Sequence, residues 1–249
     1  MKTPQSPKEE GESLDLICGR LEILQAERGY RFGVETLLLA GFVSPGAREM
    51  VDLGTGSGVI PMVLAAFGRV ERAVGVEVQK NLASRARRSV AANDLHDRVE
   101  IIEADLRELQ GRLPPSHFDL VTANPPHTRV GSGQRSASDE KAIAKQEIMC
   151  TLEDVVAAGS RLLASRASFV IVYPTGRLSE LLAACRAHKL TPARLRMIHG
   201  RQDLAAKHCL LEASKSGRMS LTVEPPLIVY EKKDRYSEEV KAMLYPSGV

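Results

Sequence analysis

A chain of 249 residues with 43% hydrophobic side chains can bury a sizeable core, which excludes a disordered polypeptide and predicts one large domain with small additions. A net charge of +3 admits a polyanionic partner without demanding one. Tryptophan is absent and aromatic residues make up 4%, so any base-stacking platform must be small.

Residues 1–12, rich in Pro, Lys and Glu, read as a disordered tail with no apolar signal-peptide core. Residues 13–47 form an N-terminal extension: LDLICGRLEILQ predicts a short β-hairpin or two extended pieces, and VETLLLAGFV a helix. Residues 48–249 form the main domain. In it EMVDLG is a strand, PMVLAAFG a helix opening on Pro61, AVGVEV a strand, and NLASRARRSVAAN a helix with Leu82, Ala86 and Val90 on one face. VEIIEA, FDLVTA and SFVIVY are further strands, with the helices LEDVVAAGSRLL and LSELLAACRAH on either side of the last. Strands alternating with helices mean βαβ units and a parallel sheet. LRMIH, HCLLEAS and PPLIVY read as closing strands, the latter two antiparallel, and SEEVKAMLY as a final helix. The segment from His127 to about Asp139 is the one long polar loop, and loops of that size usually carry function or disorder.

VDLGTGSG sets Gly54, Gly56 and Gly58 between a strand and a helix, where glycine allows a tight turn and close approach of a ligand. Glu77 ends the next strand 19 residues beyond Gly58, the spacing at which a carboxylate meets ribose hydroxyls. Asp52 precedes the glycines and Asp105 ends the third strand. Three carboxylates at successive strand ends repel a pyrophosphate and attract a sulfonium bearing an ammonium group. S-adenosylmethionine is therefore favoured over a nicotinamide dinucleotide.

A second site lies at TANPPHTRVGSG. Asn124 ends the strand FDLVTA, and Pro125 and Pro126 forbid continued pairing because neither donates a ladder hydrogen bond. The Asn124 side-chain carbonyl, with neighbouring backbone carbonyls, can accept both hydrogens of an exocyclic amine. Such acceptors stabilise the transition state as nitrogen gains positive charge.

VDLGTGSG, GVEVQ, EAD and NPPH resemble the motifs of class I S-adenosylmethionine-dependent methyltransferases that act on amino groups. LEILQAERGYRFGVETLLLAGFV, LEDVVAAGSRLL, YPTGRLSELL, LLEASKSG and PPLIVYEKKDRYSEE are similar to bacterial tRNA adenine-N6-methyltransferases, which modify the adenosine 3′ of the anticodon in a valine tRNA. The resemblance covers nearly everything after residue 13. It implies an α/β, Rossmann-like methyltransferase fold, mostly parallel with an antiparallel end, and an RNA substrate, most specifically a tRNA anticodon loop. It implies that Asp52, Gly54, Thr55, Gly56 and Gly58 wrap the methionine part of the cofactor, that Glu77 holds its ribose and that Asp105 sits by its adenine amine. Glu35, where the family often has Asp, is implied in the segment over the cofactor. Asn124, Pro125 and Pro126 match the catalytic motif. His127 stands where that motif usually has Tyr, as a stacking ring or as a general base.

For phosphate contacts the candidates are Arg129 and Arg135, directly after the catalytic motif, and Arg194, Arg196, Arg201 and Lys207 later in the chain. The Arg85–Arg88 run reads as a solvated helix face. A protein glutamine-amide methyltransferase also uses Asn-Pro-Pro but typically carries a separate helical N-terminal domain. A catalytically silent cofactor- or RNA-binding module is opposed by the intact Asn124-Pro125-Pro126. Cys18, Cys150, Cys185 and Cys209 form no CxxC pair, and neither they nor the six histidines have metal-ligand spacing. With no apolar run near the ~20 residues that span a bilayer, a cytoplasmic protein is expected.

Overall fold

The computed structural model describes residues 8–125, 150–216, 220–232 and 235–245. The extension begins as an antiparallel hairpin of Glu12–Ile17 (β1) and Leu21–Ala26 (β2), followed by the helix Val34–Phe42 (α1). The alternation predicted from the sequence follows in order. It comprises Ala47–Leu53 (β3), Val59–Ala66 (α2), Val70–Glu77 (β4), Lys80–Ala92 (α3), Val99–Glu103 (β5) and Phe118–Ala123 (β6). After residue 149 come Leu152–Leu162 (α4), Leu163–Pro174 (β7) and Leu178–Ala187 (α5). The chain then forms Leu190–His199 (β8), Ala206–Lys215 (β9), Thr222–Val223 (β10) and Leu227–Ile228 (β11). It closes with the small ribbon Tyr230–Lys232 (β12) and Arg235–Tyr236 (β13), and the helix Glu238–Leu244 (α6).

Among the described residues the central sheet has nine strands in the order β10-β8-β9-β7-β6-β3-β4-β5, with β11 also beside β8. From β5 to β7 all pairings are parallel, and β9 runs antiparallel to both β7 and β8. Helices α1, α2, α3 and α6 contribute to the apolar core on one face, and α4 and α5 to that on the other. Burial on both faces explains why FDLVTA and SFVIVY are almost continuously apolar. Helix α4 starts on a capping box between Thr151 and Asp154. Its Gly159 lets Phe169 approach, since a Cβ there would lie 2.6 Å from that ring.

Two expectations are corrected. PPLIVY does not make an antiparallel closing strand: Leu227 and Ile228 pair in parallel with β8, and the chain then leaves the sheet. Pro225 and Pro226 cannot donate to a ladder, which keeps this pairing short. The Arg85–Arg88 run is not a solvated face, because Arg85 and Arg88 both bond Glu12, which is buried at the start of β1. Among the described residues no helix is long and apolar enough to cross a membrane.

The order reverses at β3: β4 and β5 follow on one side, β6 and β7 on the other. Ligands of open α/β sheets bind beyond the carboxyl ends of the strands at such a switch point. Asp52, near the end of β3, and Asn124, just past β6, lie at that end of the sheet.

Candidate active site

Between β3 and α2 the chain turns on Gly54, Gly56 and Gly58 at φ +71°, +58° and +76°, a left-handed conformation costly for any side chain. Gly56 also leaves room for Tyr30, since a Cβ there would lie 3.0 Å from the Tyr30 ring. The Thr55 N–H donates to the Val76 carbonyl at 2.9 Å and ties the loop to β4. Glu77, buried at the end of β4, accepts from the Gly56 N–H at 2.8 Å and from the Gln79 N–H at 2.9 Å. Its carboxylate thus joins the glycine loop to the turn after β4.

Asp52 is 1% exposed. Its Oδ1 accepts from the Thr122 hydroxyl at 2.6 Å, a pair made by facing residues of β3 and β6. Its Oδ2 is buried without a partner among the described residues, as are the hydroxyls of Thr55 and Ser57. Burial pushes the Asp52 carboxyl up to about 7, the Thr122 hydroxyl and the nearby Thr55 hydroxyl opposing the shift and the charge of Glu77 adding to it. The same burial raises the Tyr30 phenol, with Glu77, Glu35 and Asp52 contributing further. The Glu35 carboxylate folds over Gly33, where a Cβ would meet both oxygens at 2.3 Å. The charges of three carboxylates therefore bear on one phenol beside a turn with orphaned polar atoms. This arrangement suits a cation with hydrogen-bond donors and repels a pyrophosphate.

Asp105 stands one strand further out, where the Ala104 N–H bonds the Glu77 carbonyl at 3.0 Å. Its carboxylate accepts from the Arg107 N–H at 2.9 Å and pairs with the Arg107 guanidinium at 2.5 Å, which lowers its pKa. It caps a short 3-10 turn and reaches a ligand only in competition with Arg107.

Asn124 is half-buried, and its Nδ2 donates to the Thr36 hydroxyl at 2.9 Å. Pro125 is buried behind it. Pro126, His127, Arg129 and Arg135 lie outside the described residues. His208, at the start of β9 opposite Pro174, comes back to this edge; burial lowers its pKa, and the Glu35 charge opposes that shift.

The later basic cluster divides. Arg201, between β8 and β9, and Lys207, at the start of β9, are exposed at the carboxyl edge. Arg194 and Arg196 are corrected, because their guanidinium groups serve the fold. Arg194 pairs with Glu212 and Glu224, donates to the Phe42 carbonyl at 2.8 Å and stacks 3.8 Å over the Phe42 ring. Arg196, 8% exposed, pairs with Glu239 of α6 at 2.7 Å and donates to the Pro225 carbonyl at 2.9 Å. Sequence reasoning also missed Tyr30, Thr36, Thr122 and His208 as members of the site. Thr122 did carry a signal, a polar residue in an otherwise buried strand.

A Rossmann-like sheet with a glycine turn, carboxylates at successive strand ends and Asn-Pro at the switch point defines a class I methyltransferase. The chain is 26% identical to the crystal structure described as a predicted O-methyltransferase, protein Atu636 from Agrobacterium tumefaciens. That match has a TM-score of 0.68 and covers 84% of this chain and 94% of the other. Residues 33–173, more than half the chain, match the methyltransferase small domain, and the chain belongs to that family. It is an enzyme of the methyltransferase class, with S-adenosylmethionine as cofactor. The tRNA1(Val) (adenine(37)-N6)-methyltransferase of Aeromonas hydrophila is 26% identical over 218 residues, covering 87% of this chain and 89% of that protein. The protein of the same name from Porphyromonas gingivalis is 27% identical over 183 residues, or 71% of each chain.

Proposed function

We propose that the chain methylates N6 of adenine in RNA, and specifically an adenosine in a tRNA anticodon loop. The observation that carries this reading is Asn124, whose carboxamide sits at the switch point with its amino end tied to Thr36. Its oxygen is then the end offered to an incoming amine. The relatives named as tRNA adenine-N6-methyltransferases support the RNA substrate, and a tRNA substrate implies work in the cytoplasm.

S-adenosylmethionine supplies an electrophilic methyl group on a sulfonium. Asp52, Thr55 and Ser57 would present the acceptors for its amino-acid end, and Glu77, which fixes the glycine loop, would hold the ribose. Asp105 would take the adenine amine, with Arg107 as competitor. Tyr30 and Glu35 would cover the methionine part. The adenine N6 lone pair is delocalised into the ring and is a poor nucleophile. Asn124 accepts the amine hydrogens, and its hydrogen bonds strengthen as the nitrogen becomes cationic. Asn124 would thus hold the amine with its lone pair turned toward the cofactor side, and the proton the amine must lose would pass to water. His127 supplies a stacking ring, and Arg129, Arg135, Arg201 and Lys207 supply phosphate contacts.

Transfer of labelled methyl to bulk tRNA, ribosomal RNA and a release-factor protein tests the substrate. Label in tRNA recovered as N6-methyladenosine is expected; label in protein glutamine would move the assignment to the amide class. Asn124→Ala should keep cofactor affinity and lower the single-turnover rate by about 10²–10³, as loss of a transition-state hydrogen-bond partner does.

A further inference from the structure

A carboxamide is nearly symmetric in shape and opposite in chemistry at its two ends. One end accepts two hydrogen bonds and the other donates two. Asn124 can receive an amine only if its oxygen faces the substrate; turned over, its NH₂ would confront the amine donor to donor. Rotation by half a turn about the last side-chain bond costs little in shape, so a neighbouring group has to choose the orientation.

We propose that Thr36 makes this choice and is the positioning residue for the methyl acceptor, an inference that rests on the proposed role of Asn124. The two residues are 88 apart in sequence and meet at 2.9 Å, Nδ2 to Oγ1. Thr36 is 5% exposed, in the first turn of α1. Its own N–H is bound to the Gly33 carbonyl at 3.2 Å, so the turn that carries it is formed. Branching at Cβ restricts its rotamers in a helix, and helical threonine hydroxyls commonly direct their hydrogen at a carbonyl one turn back. Among the described residues the hydrogen bond of this hydroxyl is the one it accepts from the amino end of Asn124. Tied by Nδ2, the carboxamide points Oδ1 away from α1. The N-terminal extension thereby sets the orientation of the catalytic amide, in addition to covering the cofactor site.

The idea is tested by single-turnover methylation of an unmodified valine tRNA transcript at saturating cofactor, with cofactor affinity measured by calorimetry. Thr36→Val keeps the shape and removes the hydroxyl. It should slow methyl transfer by about 10–100-fold, the order expected of a misplaced catalytic group, with cofactor affinity unchanged. Thr36→Ser should stay within about threefold of the parent. The decisive arm is Asn124→Asp, because a carboxylate presents an acceptor whichever way it is turned. In that background Thr36→Val should slow the reaction no further. Equal slowing in both backgrounds, or equal rates for the serine and valine variants, would overturn the proposal; that serine–valine contrast decides the matter even if N124D is itself slow. If Asn124→Ala transfers methyl at the parental rate, the acceptor reading fails. If Asn124→Ala is slow and Thr36→Val is fast, only the positioning role fails.

Discussion

Asp52 brings two carboxylate oxygens into a place where one has the Thr122 hydroxyl and the other has no partner among the described residues. Burial raises its pKa from 3.8 to about 7. The neutral acid is therefore favoured in the folded protein, so its contribution to stability is full below about pH 3.8 and is lost as pH rises through about 7. A cationic ligand group beside Oδ2 reverses this preference, and binding then expels the proton. Cofactor affinity should rise with pH up to about 7 and level off, with proton release approaching one per site near pH 6. Calorimetry in two buffers of different ionisation enthalpy reads that release directly. Asp52→Asn should abolish both the release and the slope; a slope that survives the substitution would place the titrating group elsewhere. The chemistry of Asp52 was legible from its place before the glycines. That of Tyr30 and Thr36 was not, because each acts through a neighbour 26 or 88 positions away, Gly56 or Asn124.

At the scale of elements, the β1–β2 hairpin and α3 form one unit. The Leu24 N–H donates to the Ser89 hydroxyl at 2.9 Å, and Asn93 bonds the Glu22 N–H and carbonyl at 2.9 and 2.7 Å. Glu12 closes the far end on Arg85 and Arg88. The Arg88 hydrogen bond outweighs burial and, with Arg85 and the Glu9 N–H, holds Glu12 down from 4.5 to about 2. This stabilisation is present above about pH 4.5 and is lost as pH falls through about 2. Hydrogen exchange should find the hairpin amides opening as acid is added, ahead of the central strands. Glu12→Gln should release the hairpin at neutral pH, at a cost toward the lower end of the ~3–5 kcal/mol for breaking a buried pair. Unchanged protection of β1 in that variant would mean that Ser89 and Asn93 suffice. Sequence reasoning found both elements and missed the bond between them. The periodicity of α3 marked Leu82, Ala86 and Val90 as inward, yet a run of arginines looks the same whether it faces water or a buried glutamate.

Across the whole molecule, alternating strand and helix patterns fixed the sheet, because period and burial are local properties of sequence. Charges are harder to place, since their use depends on which edge of the sheet they reach. Arg194 and Arg196 lie within β8 and tie it to Phe42 and α6, whereas Arg201 and Lys207 lie past its end, at the edge that carries Asn124. The opposite edge has its own exposed cations, Arg48 and Arg166, which provide a control of equal charge. If RNA is held at the carboxyl edge, Arg201→Glu with Lys207→Glu should weaken tRNA binding and flatten its salt dependence. Each lost phosphate contact removes about 0.7–0.9 from the slope of log affinity against log salt. Arg48→Glu with Arg166→Glu changes the net charge by the same amount and should leave the slope unaltered. Filter binding across a salt series distinguishes the two pairs. Equal losses from both would mean that tRNA senses only overall charge, and the carboxyl edge would not be its docking face.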